Sequence, residues 1–168
     1  MKVRIIRVDG KVAIEADFDS LGRPDASVKL KEISEKYQGL ISKISREESF
    51  YKAAKDLLHL YRIGNLTNVF RENLLKDDIR IVNLVPSISE DLGLSKGQLE
   101  YMTRFSSKYK ESSLNKKFNW SAYRELIDIS DDLLRSKVEK TALSRGIYFH
   151  KEIRELKKEL ARDNGKMF

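Results

Sequence analysis

Ser95-Lys96-Gly97-Gln98-Leu99-Glu100-Tyr101-Met102-Thr103-Arg104-Phe105 opens with a serine followed three places on by a glutamine. That pairing is a capping box and places a helix start at Ser95. Leu99, Met102 and Phe105 then keep a helical period and face inward, which leaves Lys96, Glu100, Thr103, Arg104, Ser107 and Lys108 facing out. Upstream lie the short apolar segment Ile88–Leu92 and the punctuation Gly93-Leu94, so the whole reads helix, tight turn, helix. A capped helix with an apolar stripe inside and a net basic face outside is what a DNA-reading helix presents. The plain alternative is a solvated amphipathic helix that follows a turn and reads nothing.

The chain has 168 residues, the length of one domain with or without a small appendage. Apolar residues make up 40%, enough for a core, and no run approaches the ~18 apolar residues of a membrane span. Met1-Lys2-Val3-Arg4 leads into alternating charged and apolar residues rather than the continuous apolar block of a signal peptide. Cysteine is absent, so there is neither a disulfide framework nor a thiolate metal site, and a cytoplasmic protein is expected. The net charge is +7 and unevenly spread. Residues 1–44 carry 9 Lys and Arg against 7 Asp and Glu, residues 45–94 carry 7 against 8, and residues 95–168 carry 17 against 11. A basic excess from the capped helix onward suits phosphate contacts and counterion release. With 35% charged residues, a merely soluble, lysine-rich surface gives the same count.

Residues 2–8 and 11–18 read as two strands joined by Asp9-Gly10, a strong hairpin signal. A two-residue loop pairs Val8 with Lys11 and Ile5 with Ile14, and gathers Val3, Ile5, Val12, Ile14 and Ala16 on one face. A lone hairpin is marginal in water, so it is expected to pack on the helices, to pair with a second chain or to order on binding. Gly22-Arg23-Pro24 reads as a linker. Helices are expected along the seam Leu30, Ile33, Tyr37, Leu40 and Ile44; from about Glu47 to Ile63, interrupted at Gly64-Asn65; through Val69, Phe70 and Leu74; over 79–92 with Pro86 inside; from Trp120; from Leu133 to Leu143; and from about Phe149 to Arg162. Trp120, the sole tryptophan, is expected as a core anchor at a helix start rather than a base-stacking residue.

The chemistry of an enzyme is not apparent. A metal-dependent PD-(D/E)XK nuclease needs an acidic residue followed by Glu-x-Lys, and the nearest imitation, Asp9 with Glu15-Ala16-Asp17, lacks the lysine. His59 and His150 stand far apart without acidic partners at ligand spacing. No phosphate-binding glycine loop and no nucleophile elbow occur. Asp128, Asp131 and Asp132 could attract a cation, but Asp131 and Asp132 suit the first turn of a helix. No cofactor and no metal are expected.

The second half resembles a known family, the helical domain that precedes the nuclease in YhcG-type PD-(D/E)XK proteins. The residues that carry the likeness are Ser89-Glu90-Asp91-Leu92, then Leu94-Ser95, then Gln98-Leu99, Met102, Phe105 and Tyr109. They continue with Phe118-Asn119-Trp120-Ser121-Ala122-Tyr123-Arg124-Glu125-Leu126-Ile127-Asp128-Ile129 and with Tyr148–Leu156, where the family's tryptophan is missing. The likeness spans about residues 55–160, and Trp-Ser-x-Tyr-x-x-Leu is its most specific portion. Ala122 stands where the family has histidine, and the nuclease domain is expected to be absent because the chain stops at residue 168. The resemblance implies a helix-turn-helix-like DNA-binding module without its nuclease.

The expectation is therefore a mostly α multi-helix bundle. A β-hairpin and linker occupy 1–22, a helical domain occupies 23–168, and a helix-turn-helix-like unit lies at about 80–109. It should bind double-stranded DNA without catalysis, as a regulator or accessory factor of the kind found on mobile genetic elements. Lys96, Arg104 and Lys108 are expected at phosphates or guanines, Gln98, Glu100 and Thr103 at base edges, and Lys110, Lys116 and Lys117 at flanking phosphates. A homodimer built through the hairpin or the first helix is a candidate assembly. The alternative function is a protein–protein adaptor that docks on a separately encoded nuclease or another DNA-processing partner.

Overall fold

Asp9 and Gly10 take left-handed backbone angles, φ 50° and 75°, as a two-residue hairpin loop with the native twist requires. They join β1 (Lys2–Val8) to β2 (Lys11–Ala16) with Val8 opposite Lys11 and Ile5 opposite Ile14, the expected register. The computed structural model describes residues 1–16 and 26–163. The linker at Gly22–Pro24, the expected strand residues 17 and 18, and the stop at Asn164-Gly165 lie outside the described residues. The fold is mostly α with a small N-terminal hairpin. It divides into two compact units, Met1–Ser107 and Lys108–Phe168.

In the first unit, α1 (Ala26–Ala54) buries Ile33, Tyr37, Leu40 and Ile44, with Leu30 half-buried at the start of the seam. The helix continues past Glu47, where a new helix was expected. Nothing between Ile44 and Glu47 breaks it, and a Glu48–Lys52 ion pair spans the next turn. The break falls instead at Lys55, which takes φ 56°, and at Asp56, whose carboxylate caps α2 (Leu57–Lys76) by accepting from the Leu58 amide. Gly64 does not interrupt α2. A Cβ there would lie 1.9 Å from the Met102 carbonyl oxygen, so the glycine is required by a close helix crossing.

The expected helix over 79–92 is shorter. Arg80–Ile81 forms β3, which pairs in parallel with Lys2 and Val3 to give the sheet order β2-β1-β3. The Asn83 side chain then completes the ladder. Its carbonyl accepts from the Ile5 amide at 2.9 Å and its NH2 donates to the Ile5 carbonyl at 2.8 Å. Only then does α3 (Leu84–Leu92) start, with Pro86 in its first turn, where a missing N–H costs no helical bond. Val3, Ile5, Ile14 and Ala16 are buried on the inner face of the hairpin, which packs on its own unit. That resolves the expected choice in favour of intramolecular packing for this face. Helix α4 (Lys96–Lys108) follows.

The second unit is built from a short 3-10 turn (Glu111–Ser113) and the helices α5 (Trp120–Ile127), α6 (Asp132–Arg145) and α7 (His150–Asp163). Its core comprises Phe118, Tyr123, Leu126, Ile127, Val138, Ala142, Ile153 and Leu156. Asn119 caps α5 by accepting from the Ala122 amide, and Asp131 caps α6 by accepting from Leu133 and Leu134. The carboxylates of the Asp128–Asp132 cluster are thus partly spent on helix starts, since Asp132 also pairs with Arg135 at 2.6 Å. Trp120 is only half-buried, contrary to the expected core anchor. Phe118, two residues earlier, occupies the interior instead, edge-on to Tyr123.

Candidate nucleic-acid interface

Gly93, Leu94 and Ser95 join α3 to α4, and each side of the turn is closed by hydrogen bonds. Gly93 takes φ 64°, its amide reaches the Glu90 carbonyl, and the Leu94 amide reaches the Ser89 carbonyl at 3.0 Å. This is the paired termination that a left-handed glycine allows. The Ser95 hydroxyl accepts from the Gln98 amide at 3.1 Å and starts α4.

Helix α4 is seated through its apolar stripe. Leu99, Met102 and Phe105 are buried, with Tyr61 edge-on to Phe105. Asn68 of α2 fastens its backbone, since the amide NH2 lies 2.8 Å from the Thr103 carbonyl, 2.8 Å from the Ser106 hydroxyl and 3.0 Å from that of Ser107. Helix α3 is held from the hairpin. Arg7 sits on the inner face of β1, where the alternation calls for an apolar residue, and its guanidinium reaches the carboxylates of Asp91 and Glu90. Tyr37 of α1 donates to the other oxygen of Asp91 at 2.6 Å. The Asp91 carboxylate holds the Arg7 guanidinium charged above its usual range. Burial, joined by the hydrogen bond to Asp91, pushes the Tyr37 phenol well above the ordinary tyrosine range. Arg7 and Asn68 escaped the sequence reading, and Gly64 was read there as a break in the helix rather than as a close crossing. Only Arg7 left a signal there, as a charge at an inward position of the strand.

The outward face of α4 carries Lys96, Gln98, Glu100 and Arg104, all exposed. The Lys96 ammonium lies 3.7 Å from Glu100, and the Arg104 guanidinium stacks 4.7 Å from the centre of the Tyr101 ring. Two of the residues expected to face outward are corrected. Thr103 is 8% exposed, with its hydroxyl donating to the Glu100 carbonyl at 2.8 Å, so it offers no edge for base reading. Lys108 is half-buried, and its ammonium donates to the Ile129 carbonyl at 2.6 Å within the second unit rather than projecting to a phosphate. Lys110, Lys116 and Lys117 are exposed in the second unit, with the Lys117 ammonium 5.5 Å from the centre of the Tyr148 ring.

Charge divides unequally between the units. The first holds 18 Lys and Arg against 16 Asp and Glu, net +2, and the second holds 15 against 10, net +5. The second unit also contains a partly buried polar group. Arg135 lies 5.7 Å from the centre of the Tyr109 ring, and Glu139 is held above the usual carboxylate range by burial, against the pull of Tyr109 and Arg135. Burial likewise raises Tyr109, and raises Tyr123 to about 12. The Tyr123 oxygen accepts from the Asn115 amide at 2.7 Å. These groups are engaged in packing. His59 has its Nδ1 2.7 Å from a Glu47 oxygen across the α1–α2 turn, a single carboxylate partner twelve residues away rather than one at ligand spacing. Among the described residues, no group of three or more His, Cys, Asp or Glu side chains is placed to hold a metal ion. No helix among them is long and apolar enough to cross a membrane. Comparison with protein families, with characterised proteins and with solved structures returns no match for this chain.

Proposed function

We propose that this protein binds double-stranded DNA without cleaving it, as a cytoplasmic regulator or accessory factor, with α4 as the element that enters the major groove. One observation carries the reading. The three-residue turn at Gly93–Ser95 is capped on both sides, and the helix after it buries one stripe while Lys96, Gln98, Glu100 and Arg104 stay exposed. Turns of three or four residues containing glycine, followed by a helix with an accessible first half, are how helix-turn-helix modules dock. The likeness to the helical domain of YhcG-type proteins points the same way. Gln98 and Glu100 are the proposed base readers, Lys96 and Arg104 the contacts to phosphate or guanine, and Lys110, Lys116 and Lys117 added phosphate contacts from the second unit.

The test is a mobility-shift titration of random duplex DNA at 50 and 200 mM salt. Binding through several phosphates loses affinity steeply between these conditions, roughly tenfold for every ~1.7 charges released. The double variant Lys96→Ala, Arg104→Ala should bind at least tenfold more weakly with an unchanged thermal melt. Equal affinity of variant and parent would remove α4 from the interface. A docking surface for a protein partner is the second reading, favoured by the near balance of charge in the first unit and by Glu100 amid the basic residues of α4. Under that reading no duplex shift is seen at either salt concentration.

A further inference from the structure

Strand β3 lies at the edge of its sheet and is paired on one side only. The amides of Arg80 and Val82 reach back to the Met1 and Val3 carbonyls. By the alternation of a strand, the N–H and C=O of Ile81 between them point to the open side. Beside that edge lies a cleft of about 240 Å³ lined by Leu74, Leu75, Ile79, Ile81 and Leu84, with Arg71 and Arg80 at its sides. Leu75 is 48% exposed and Val82 53%, so the apolar surface continues out of the cleft onto the rim. Among the described residues, neither Arg71 nor Arg80 makes a side-chain ion pair or hydrogen bond.

We propose that this cleft is a docking site for an extended acidic peptide of a partner protein, which adds a strand to the open edge of β3. Three features of the site define the occupant. The open N–H and C=O of Ile81 call for a peptide backbone, because strand addition gains its affinity through main-chain bonds. A cleft of this volume is below the ~300–1,000 Å³ of a typical small-molecule pocket and takes one or two apolar side chains instead. Two unpaired guanidinium groups at its sides call for carboxylates on the peptide, which arginine binds in bidentate fashion. A strand with an apolar residue directed into the cleft and Glu or Asp at neighbouring positions meets all three. The site lies on α2, β3 and the start of α3, whereas the proposed DNA-reading residues lie on the outward face of α4 and on the second unit. The proposal does not depend on DNA binding.

The experiment is fluorescence anisotropy of the full-length protein with a fluorescein-labelled decapeptide of alternating glutamate and leucine or valine. Saturable binding is expected, weakened at least tenfold by Arg71→Glu with Arg80→Glu, and at least tenfold by a proline replacing the central residue of the peptide. Both arginines are exposed, so the double variant should keep its thermal melt. Any of four results overturns the proposal: no saturable binding up to millimolar peptide; equal binding by the charge-reversed protein; undiminished binding of the proline peptide, which removes strand addition; or self-association of the protein that the charge reversal abolishes, which assigns the edge to a second copy of the chain.

Discussion

Single residues hold this fold at points where their replacement has a definite sign. Gly64 is the clearest. A methyl group at that position overlaps the Met102 carbonyl, and backbone on a seated helix yields less readily than the end of a side chain. Gly64→Ala should destabilise the first unit by about 1–3 kcal/mol, the ordinary cost of overpacking, despite alanine's better helix propensity. A melt equal to or above the parent's would show that α2 and α4 do not cross so closely. Glu139 has the opposite sign. Its folded state favours the neutral acid, so the stability it contributes is complete below its unfolded pKa and is lost as pH rises through the higher folded value. At neutral pH burial of this carboxyl therefore weighs against the fold. Glu139→Gln should raise the melting temperature at pH 7, and the advantage should vanish by about pH 4, near the unfolded value. A variant less stable than the parent at pH 7 would mean that Tyr109 and Arg135 outweigh the burial.

At the level of elements, Asn83 acts as a side-chain extension of β3, since it supplies one donor and one acceptor to Ile5 after the backbone ladder has ended. Asn83→Ala should cost about 1–3 kcal/mol through two lost bonds and a part-buried amide left unpaired. Hydrogen exchange checks it directly, because the Ile5 amide should lose protection while the amides of α5 to α7 keep theirs. Why some elements could be read from the chain and others could not follows from the range of the forces that make them. The hairpin was legible because Asp9-Gly10 and a period of two are local, and the start of α4 was legible because Ser95 and Gln98 are three residues apart. Strand β3 was not, since its two residues are extended only because β1, 78 positions earlier, pairs with them. The same holds for the site. Lys96, Gln98, Glu100 and Arg104 face outward as the helical period requires. Thr103 lies on the flank of the apolar stripe, where Asn68 of another helix reaches its carbonyl, and Lys108 is turned by a carbonyl at Ile129 that no spacing rule connects to it.

Across the molecule, tyrosines in each unit are held protonated. Burial raises Tyr37 in the first unit and Tyr109 and Tyr123 in the second, Tyr123 to about 12. Since each folded pKa exceeds that of the unfolded chain, this contribution to stability is complete below about pH 10 and is lost as the folded phenols ionise above it. Thermal melts should therefore change little from pH 7 to about 9.5 on account of these groups and fall steeply beyond it. Ultraviolet titration should show ionisation of the buried phenols coinciding with unfolding. A smooth tyrosinate titration near pH 10 with the fold intact would contradict the burial of all three. The parallel pairing of Lys2 and Val3 with Arg80 and Ile81 has a further consequence, for the birth of the chain. At a synthesis rate of ~5–20 residues per second, β1 waits roughly 4–16 s for its second neighbour, while the hairpin turn itself closes in microseconds. Throughout that interval Val3 and Ile5 have no helical cover from α3. The nascent hairpin is thus open to chaperone capture or wrong pairing on the side that β3 and α3 later cover, and slower translation lengthens the risk.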